Sequence, residues 1–347
     1  MDLLGKTWNR RSLEARVGRI DQVAGLHHFQ TTSGPGAGAE HILVRTGSGF
    51  SYYVLPSRGM DIGLAEFGGI PLSWLSPNGD LHPSFYDSRG NAWLRTAYGG
   101  LMTTCGLSQV GWVGEGDGLD MGLHGRAHHT PASQVCAEGH WEGDEYLMSV
   151  QGRVEETSIF GPNLCLTRHI SSRLGRNEIV IHDTVENPGF EPAPHMLLYH
   201  FNFGFPLLDT GTEIHFPAGR VVPRQPDYPA DDLGAWQSPQ SGYVEHVYYH
   251  EDLSTGVDGW AAVRLHNPHF PLLNRPVDLT LAWDTHNLPV LVQWKMAGEG
   301  THVLGIEPAN CHVEGQTAER KRGTLVMMEP GQTRQYHLSL TIRDEEL

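Results

Sequence analysis

From residue 26 onward the chain is a succession of short apolar runs, each stopped by glycine or proline. HILVRTG, FSYYVLPSRG and MDIGLAEFGG open the series, and LCLTRHISSRLG, NEIVIHDTVENPG, VDLTLAWDTH and RQYHLSLTIRD carry it toward the C-terminus. Alternation with period two, or a short unbroken apolar run between turn residues, marks a strand. The 42 Gly and 22 Pro supply the turns, and only 18% of residues are charged. That balance suits tight strand connections and suits helix bundles poorly. The helical patterns that βαβ units need between strands are missing. The expected fold class is all-β, a large antiparallel β-sandwich over residues 26–347 as one domain. Residues 1–25 are expected to form an arm or short helix, because Leu13, Val17, Ile20 and Val23 recur at helical spacing.

Charge narrows the choice of partners. With 24 Lys+Arg against 40 Asp+Glu the formal net charge is −16, a surface that repels phosphate backbones and argues against nucleic acid. No run is long enough to span a membrane or serve as a signal peptide, so a cytoplasmic location is expected. Cys105, Cys136, Cys165 and Cys311 make no CxxC pair and read as reduced, buried residues. The Pro- and Asp-rich stretch 225–245 reads as a long irregular loop, of the kind that can cover a cleft. The 21 histidines raise the odds of acid–base or metal chemistry.

Three segments place proton-carrying residues inside apolar strands. In Met121-Gly122-Leu123-His124-Gly125-Arg126, glycines beside a histidine let another backbone or a ligand approach the imidazole. The bland alternative is a loop histidine bonded to a carbonyl. In Leu197–Pro206, alternation sets Leu198, His200 and Asn202 on one face and Tyr199, Phe201 and Phe203 on the other. His200 and Asn202 then suit a polyhydroxylated ligand, or else satisfy each other in the core. In Val303–Asn310, Glu307 interrupts an apolar strand, where burial raises a carboxyl pKa toward that of a general base. A structural salt bridge is the other reading.

Taken in chain order, LHGR at 123–126, YHFN at 199–202 and IEP at 306–308 resemble the active-site segments of the aldose 1-epimerase (galactose mutarotase) superfamily. In that family they are a Leu-His-Gly-Gly segment, an Asn-His-x-Tyr-Phe-Asn segment and a late strand with a single Glu. LPSRGMDIG, PLSWLSP and YGGLMTTCGL are most similar to an aldose-1-epimerase-like branch whose function is not established. The resemblance implies a mutarotase-like sandwich and anomer interconversion without cofactor or metal. It assigns Glu307 as base, His200 as acid at the ring oxygen and His124 as a second donor there. The chain departs from the family at Arg126, which replaces a second glycine, and at Gly99–Gly106, which replaces an Asn-Arg pair. Only Asp258 offers itself for the family's hydroxyl-gripping aspartate.

Isolated charges in apolar or glycine-rich contexts are Arg58, Asp61, Arg95, Arg126 and Lys295. They read either as salt bridges, such as Arg58 with Asp61 across a turn, or as cleft-facing groups that bind an acidic or phosphorylated sugar. With Asn202 and Trp294, residues Arg58, Asp61, Arg126 and Lys295 form the expected substrate-binding set. Trp74, Trp112, Trp260 and Trp294 are candidate stacking platforms, although most tryptophans belong in a core. Two rival readings stay open. One is a metal-dependent sugar isomerase or lyase using His124, His128 and His129 with His195 or His200 and Glu307. The other is a non-catalytic carbohydrate-binding protein. The expected partner is a small sugar, anionic in the sharper reading, and the expected state is monomer or homodimer.

Overall fold

The computed structural model describes residues 1–113, 121–229, 233–271 and 275–344. Within them, two large antiparallel sheets face each other, one of eight strands and one of twelve. In the smaller sheet Thr333–Asp344 lies between Arg275–Asp284 and Glu178–Glu186, and Asn163–Arg173, Glu145–Thr157 and Ser133–Glu142 follow in order. In the larger sheet Ala193–Gly204 is central, with Thr301–Ala309 and Val290–Gly298 on one side and Met102–Leu107 and Asp61–Phe67 on the other. The all-β sandwich expected from the strand texture is the fold observed.

Both faces of the central strand Ala193–Gly204 are buried, which is why its sequence reads as a nearly unbroken apolar run. Leu197, Tyr199, Phe201 and Phe203 point into the main core between the sheets, together with Ile181, Trp283 and Leu338. Met196 and Leu198 point the other way, into a second cluster with Val247, Tyr249, Val292 and Ala309. His200 and Asn202 continue that second row. The period-two alternation therefore delivers two polar side chains to a place the strand has already closed off from water.

The N-terminal segment is less helical than its spacing suggests. The helix covers only Arg10–Glu14, capped by Asn9, whose side chain accepts from the Ser12 amide at 2.8 Å. A single 3-10 turn at Ile20–Gln22 follows. Gly18 interrupts the apolar spacing between them, and glycine is a poor interior helix residue. Leu3 and Leu13 nevertheless belong to the main core. The cysteines form no disulfide among the described residues, and Cys136 is exposed rather than buried. No described helix is long and apolar enough to cross a membrane.

Candidate active site

The site forms where the central strand meets Thr301–Ala309. Their antiparallel register pairs Leu198 with Ala309 and Phe201 with Ile306, which sets Glu307 directly across from His200. His200 Nε2 lies 3.1 Å from Glu307 Oε1. The approach is off-line, however, and both Glu307 Oε1 and His200 Nδ1 are buried without a hydrogen-bond partner. Unsatisfied polar atoms in a closed interior are costly. Gly305 makes the arrangement sterically feasible, since a Cβ there would fall 2.4 Å from Glu307 Oε1 and 3.1 Å from His200 Cε1.

His124 reaches the same place from a loop. Its backbone adopts φ +57°, a left-handed conformation uncommon for a side-chain-bearing residue. Three contacts hold it there: its amide donates to Gly111 O, its carbonyl accepts from the Gly106 amide, and Nδ1 accepts from the Gly111 amide at 3.3 Å. Because Nδ1 accepts, the ring proton resides on Nε2, and His124 is a donor through that atom. The flanking Gly125 has no room for a side chain, as a Cβ would sit 2.5 Å from Gly106 O and Gln109 O. The His124 and His200 ring centroids are 6.2 Å apart.

These three residues line a cavity of about 430 Å³. Trp93 packs 5.1 Å from His124, and Trp294 packs 5.5 Å from His200. Trp294 Nε1 donates to Glu245 Oε2 at 2.8 Å, and Arg224 donates to Glu245 Oε1 at 2.9 Å. Asn202 lines the cavity while its amide nitrogen donates to Gly100 O and His200 O. Burial pushes His200 down to about 3, helped by its neighbour His124, and pushes His124 down to about 4. Burial, together with the charge of Glu245, holds the Glu307 carboxyl well above the usual carboxylate range. At neutral pH both imidazoles are therefore uncharged, and burial disfavours ionisation of the Glu307 carboxyl.

The cavity brings together His124, His200, Asn202, Glu307 and Trp294 from the expected set. It does not include the charges that were to bind an anionic group. Arg58 is buried and bonded to Asp80, Thr96 O and His128 instead of Asp61. Asp61 accepts from Thr104 and faces His128 Nδ1 at 2.6 Å and Arg168 at 3.3 Å. Both belong to a core network that consumes their charge, since buried ions persist only when paired. Lys295 follows Trp294 on its strand and so points to the opposite face, where Nζ donates to Ala235 O at 3.2 Å. Arg126 and Arg95 are exposed and line no part of the cavity. Asp258 accepts from the Trp260 amide in a turn, and neither residue reaches the site.

Of the histidines in the metal reading, His124 and His200 line the cavity, whereas His128, His129 and His195 do not. His128 accepts from Arg58 through Nε2, and His195 bonds Leu107 O and Tyr336. Among the described residues no group of three His, Cys, Asp or Glu is placed to hold a metal ion. The stretch 225–245, where described, is pinned to the sheet by buried Trp236 and by the Gln240 amide on Ala297 O. Trp93, Arg224, Glu245 and Gly305 complete the site without being among the residues expected from the sequence. Of these, only Gly305 carried a local signal, a glycine two residues before the lone carboxylate.

No protein of curated function matches this chain. Among solved structures it resembles a Klebsiella pneumoniae protein provisionally assigned as an aldose 1-epimerase, with 24% identity over 93% of this chain and 86% of that one and a TM-score of 0.84. It also resembles the Slr1438 protein of Synechocystis, at 17% identity over 92% of this chain and all of the other, TM-score 0.64. A galactose mutarotase-like protein of Clostridium acetobutylicum is 11% identical over 93% of this chain and all of the other, TM-score 0.61. At such identities the likeness is one of fold, the galactose mutarotase-like β-sandwich. The family described as domain of unknown function DUF4432 matches residues 36–342, and the chain belongs to that family.

Proposed function

We propose that the chain is an aldose 1-epimerase-like isomerase that interconverts the anomers of a free reducing sugar. The observation that carries this reading is the His200–Glu307 pair, 3.1 Å apart and incompletely bonded at the wall of a tryptophan-lined cavity. Anomer exchange needs one group to take the C1 hydroxyl proton and another to protonate the ring oxygen. The C1–O5 bond then breaks, the aldehyde rotates, and closure on its other face returns both protons. Each positioned acid or base contributes roughly 10²–10⁴-fold.

The pair suits both protonation patterns. Protonated Glu307 with neutral His200 has the same net charge as the carboxylate with imidazolium, so one proton moving between them yields a Glu307 base and a His200 acid. A bound sugar supplies the hydrogen bonds that Oε1 and Nδ1 lack, which lowers the cost of the ionic form. His124 Nε2–H adds a donor for the ring oxygen. No cofactor enters this scheme.

The charge inventory favours a neutral sugar over the acidic or phosphorylated one. Arg224 is the described arginine that lines the cavity, and Glu245 already engages it. Glu245 is also the carboxylate best placed to grip sugar hydroxyls. Exchange spectroscopy between α and β anomers, run on neutral hexoses, hexuronic acids and hexose phosphates, tests the reading. Enzyme-dependent exchange fastest with neutral sugars is expected, whereas binding without any exchange would favour a carbohydrate-binding protein.

A further inference from the structure

The cavity is larger than the sugar its chemistry needs. A hexose packed at the density of an organic crystal fills roughly 190 Å³, and the cavity measures about 430 Å³. Of the described cavity residues, Trp112 and Leu94 are the large apolar ones left open to solvent, at 44% and 54% exposure. Each is one residue away from a group that holds His124: Trp112 follows Gly111, whose amide bonds His124 Nδ1, and Leu94 follows Trp93, whose ring packs on the imidazole. Both therefore flank the His124 side of the site at its solvent end, while His200 and Glu307 sit at the buried end.

We propose that the site takes the reducing end of a disaccharide or longer glycan, with the second ring stacked on Trp112 beside Leu94. This rests on the anomer-exchange reading, which dictates where the second ring attaches. The C1 hydroxyl must be free to lose its proton, so the additional ring is joined through another carbon of the first. A half-exposed indole at the mouth offers that ring an apolar face with its rim open to water, the environment in which aromatic residues hold amphipathic ligands. The paired Arg224 and Glu245 add no uncompensated charge, in keeping with a neutral glycan.

The test compares anomer exchange of maltose, cellobiose and lactose with that of glucose and galactose, and follows binding of each by intrinsic tryptophan fluorescence. At least one disaccharide is expected to show a kcat/KM about tenfold above its own monosaccharide. Trp112→Ala should lower that disaccharide-to-monosaccharide ratio by about tenfold, and Trp112→Phe should restore most of it. Exchange of monosaccharides with no disaccharide preference, or a ratio unmoved by Trp112→Ala, overturns the second-ring site and leaves the anomer-exchange reading standing. Absence of exchange with every sugar defeats that reading instead. In that event, Trp112-dependent tighter binding of a disaccharide still supports the two-ring site, and equal binding rejects it.

Discussion

Two buried charge clusters lie on opposite sides of the central strand, and they are satisfied to very different degrees. On the Tyr199 side, Arg168 joins the two sheets by bonding Asp183 at 2.6 Å and Thr104 at 2.7 Å, with Asp61 at 3.3 Å. Tyr199 donates to the same Asp183 at 2.7 Å. On the side of its neighbour His200, Glu307 Oε1 and His200 Nδ1 have no hydrogen-bonded partner. A fully paired network makes a rigid brace. An under-paired one leaves hydrogen-bonding capacity unspent, at a cost to stability that functional sites commonly carry.

The largest effect should come from breaking the brace. Arg168→Leu leaves Asp61 and Asp183 buried without their cation, and loss of one partner of a buried pair costs about 3–5 kcal/mol. Urea denaturation should show that loss, and a variant as stable as the parent would mean the network is not the brace described. Gly305→Ala strikes the other cluster. Its Cβ would meet Glu307 and His200 before any backbone, so anomer exchange should fall roughly 10²-fold or more, with about 1–3 kcal/mol of overpacking strain. Normal exchange in this variant would show that the pair's spacing is unimportant.

Acid should sharpen the contrast further. His200 titrates near 3 in the folded state and His124 near 4, both pushed down first by burial. The unfolded chain binds those protons from about pH 6.5 downward, so the stability from keeping both rings neutral is complete above that pH and is lost as pH falls toward 3. His200→Asn should flatten the stability profile over that window, as read by melting temperature against pH. An unchanged profile would show that His200 is not held neutral. The smallest effect belongs to Arg126→Ala, an exposed residue outside the cavity. Stability should stay within about 0.5 kcal/mol, and exchange should match the parent. A clear loss of exchange would return Arg126 to the site.

The fold was legible because period-two patterning and glycine punctuation repeat along the whole chain. His200 and Asn202 were legible for the same reason, since alternation alone assigns them a shared face. His124 and Glu307 needed the family resemblance, because a loop histidine and a lone carboxylate have structural explanations of equal force. Arg58, Asp61 and Lys295 misled because a charge in an apolar context looks alike whether it faces a cleft or a buried partner. Which one applies depends on Asp80, Arg168 and Ala235, residues far away in sequence. Trp93, Arg224 and Glu245 come from a short turn and from loop edges, where no periodicity operates.

Glu307 is a carboxyl destabilised by burial, and the proposed anomer exchange depends on it. A carboxyl whose folded pKa is raised favours folding below its unfolded pKa, and that contribution declines as pH climbs from about 4.5 toward the folded value. Glu307→Gln keeps the shape and removes the titration. Measured on one preparation, its melting temperature and its anomer exchange should move in opposite directions. At pH 7 to 8 melting should equal or exceed the parent's, with the margin shrinking toward pH 4.5, while exchange falls roughly 10²–10⁴-fold. Exchange retained within a few-fold, or a loss of stability like that expected for Arg168→Leu, would contradict the central claim.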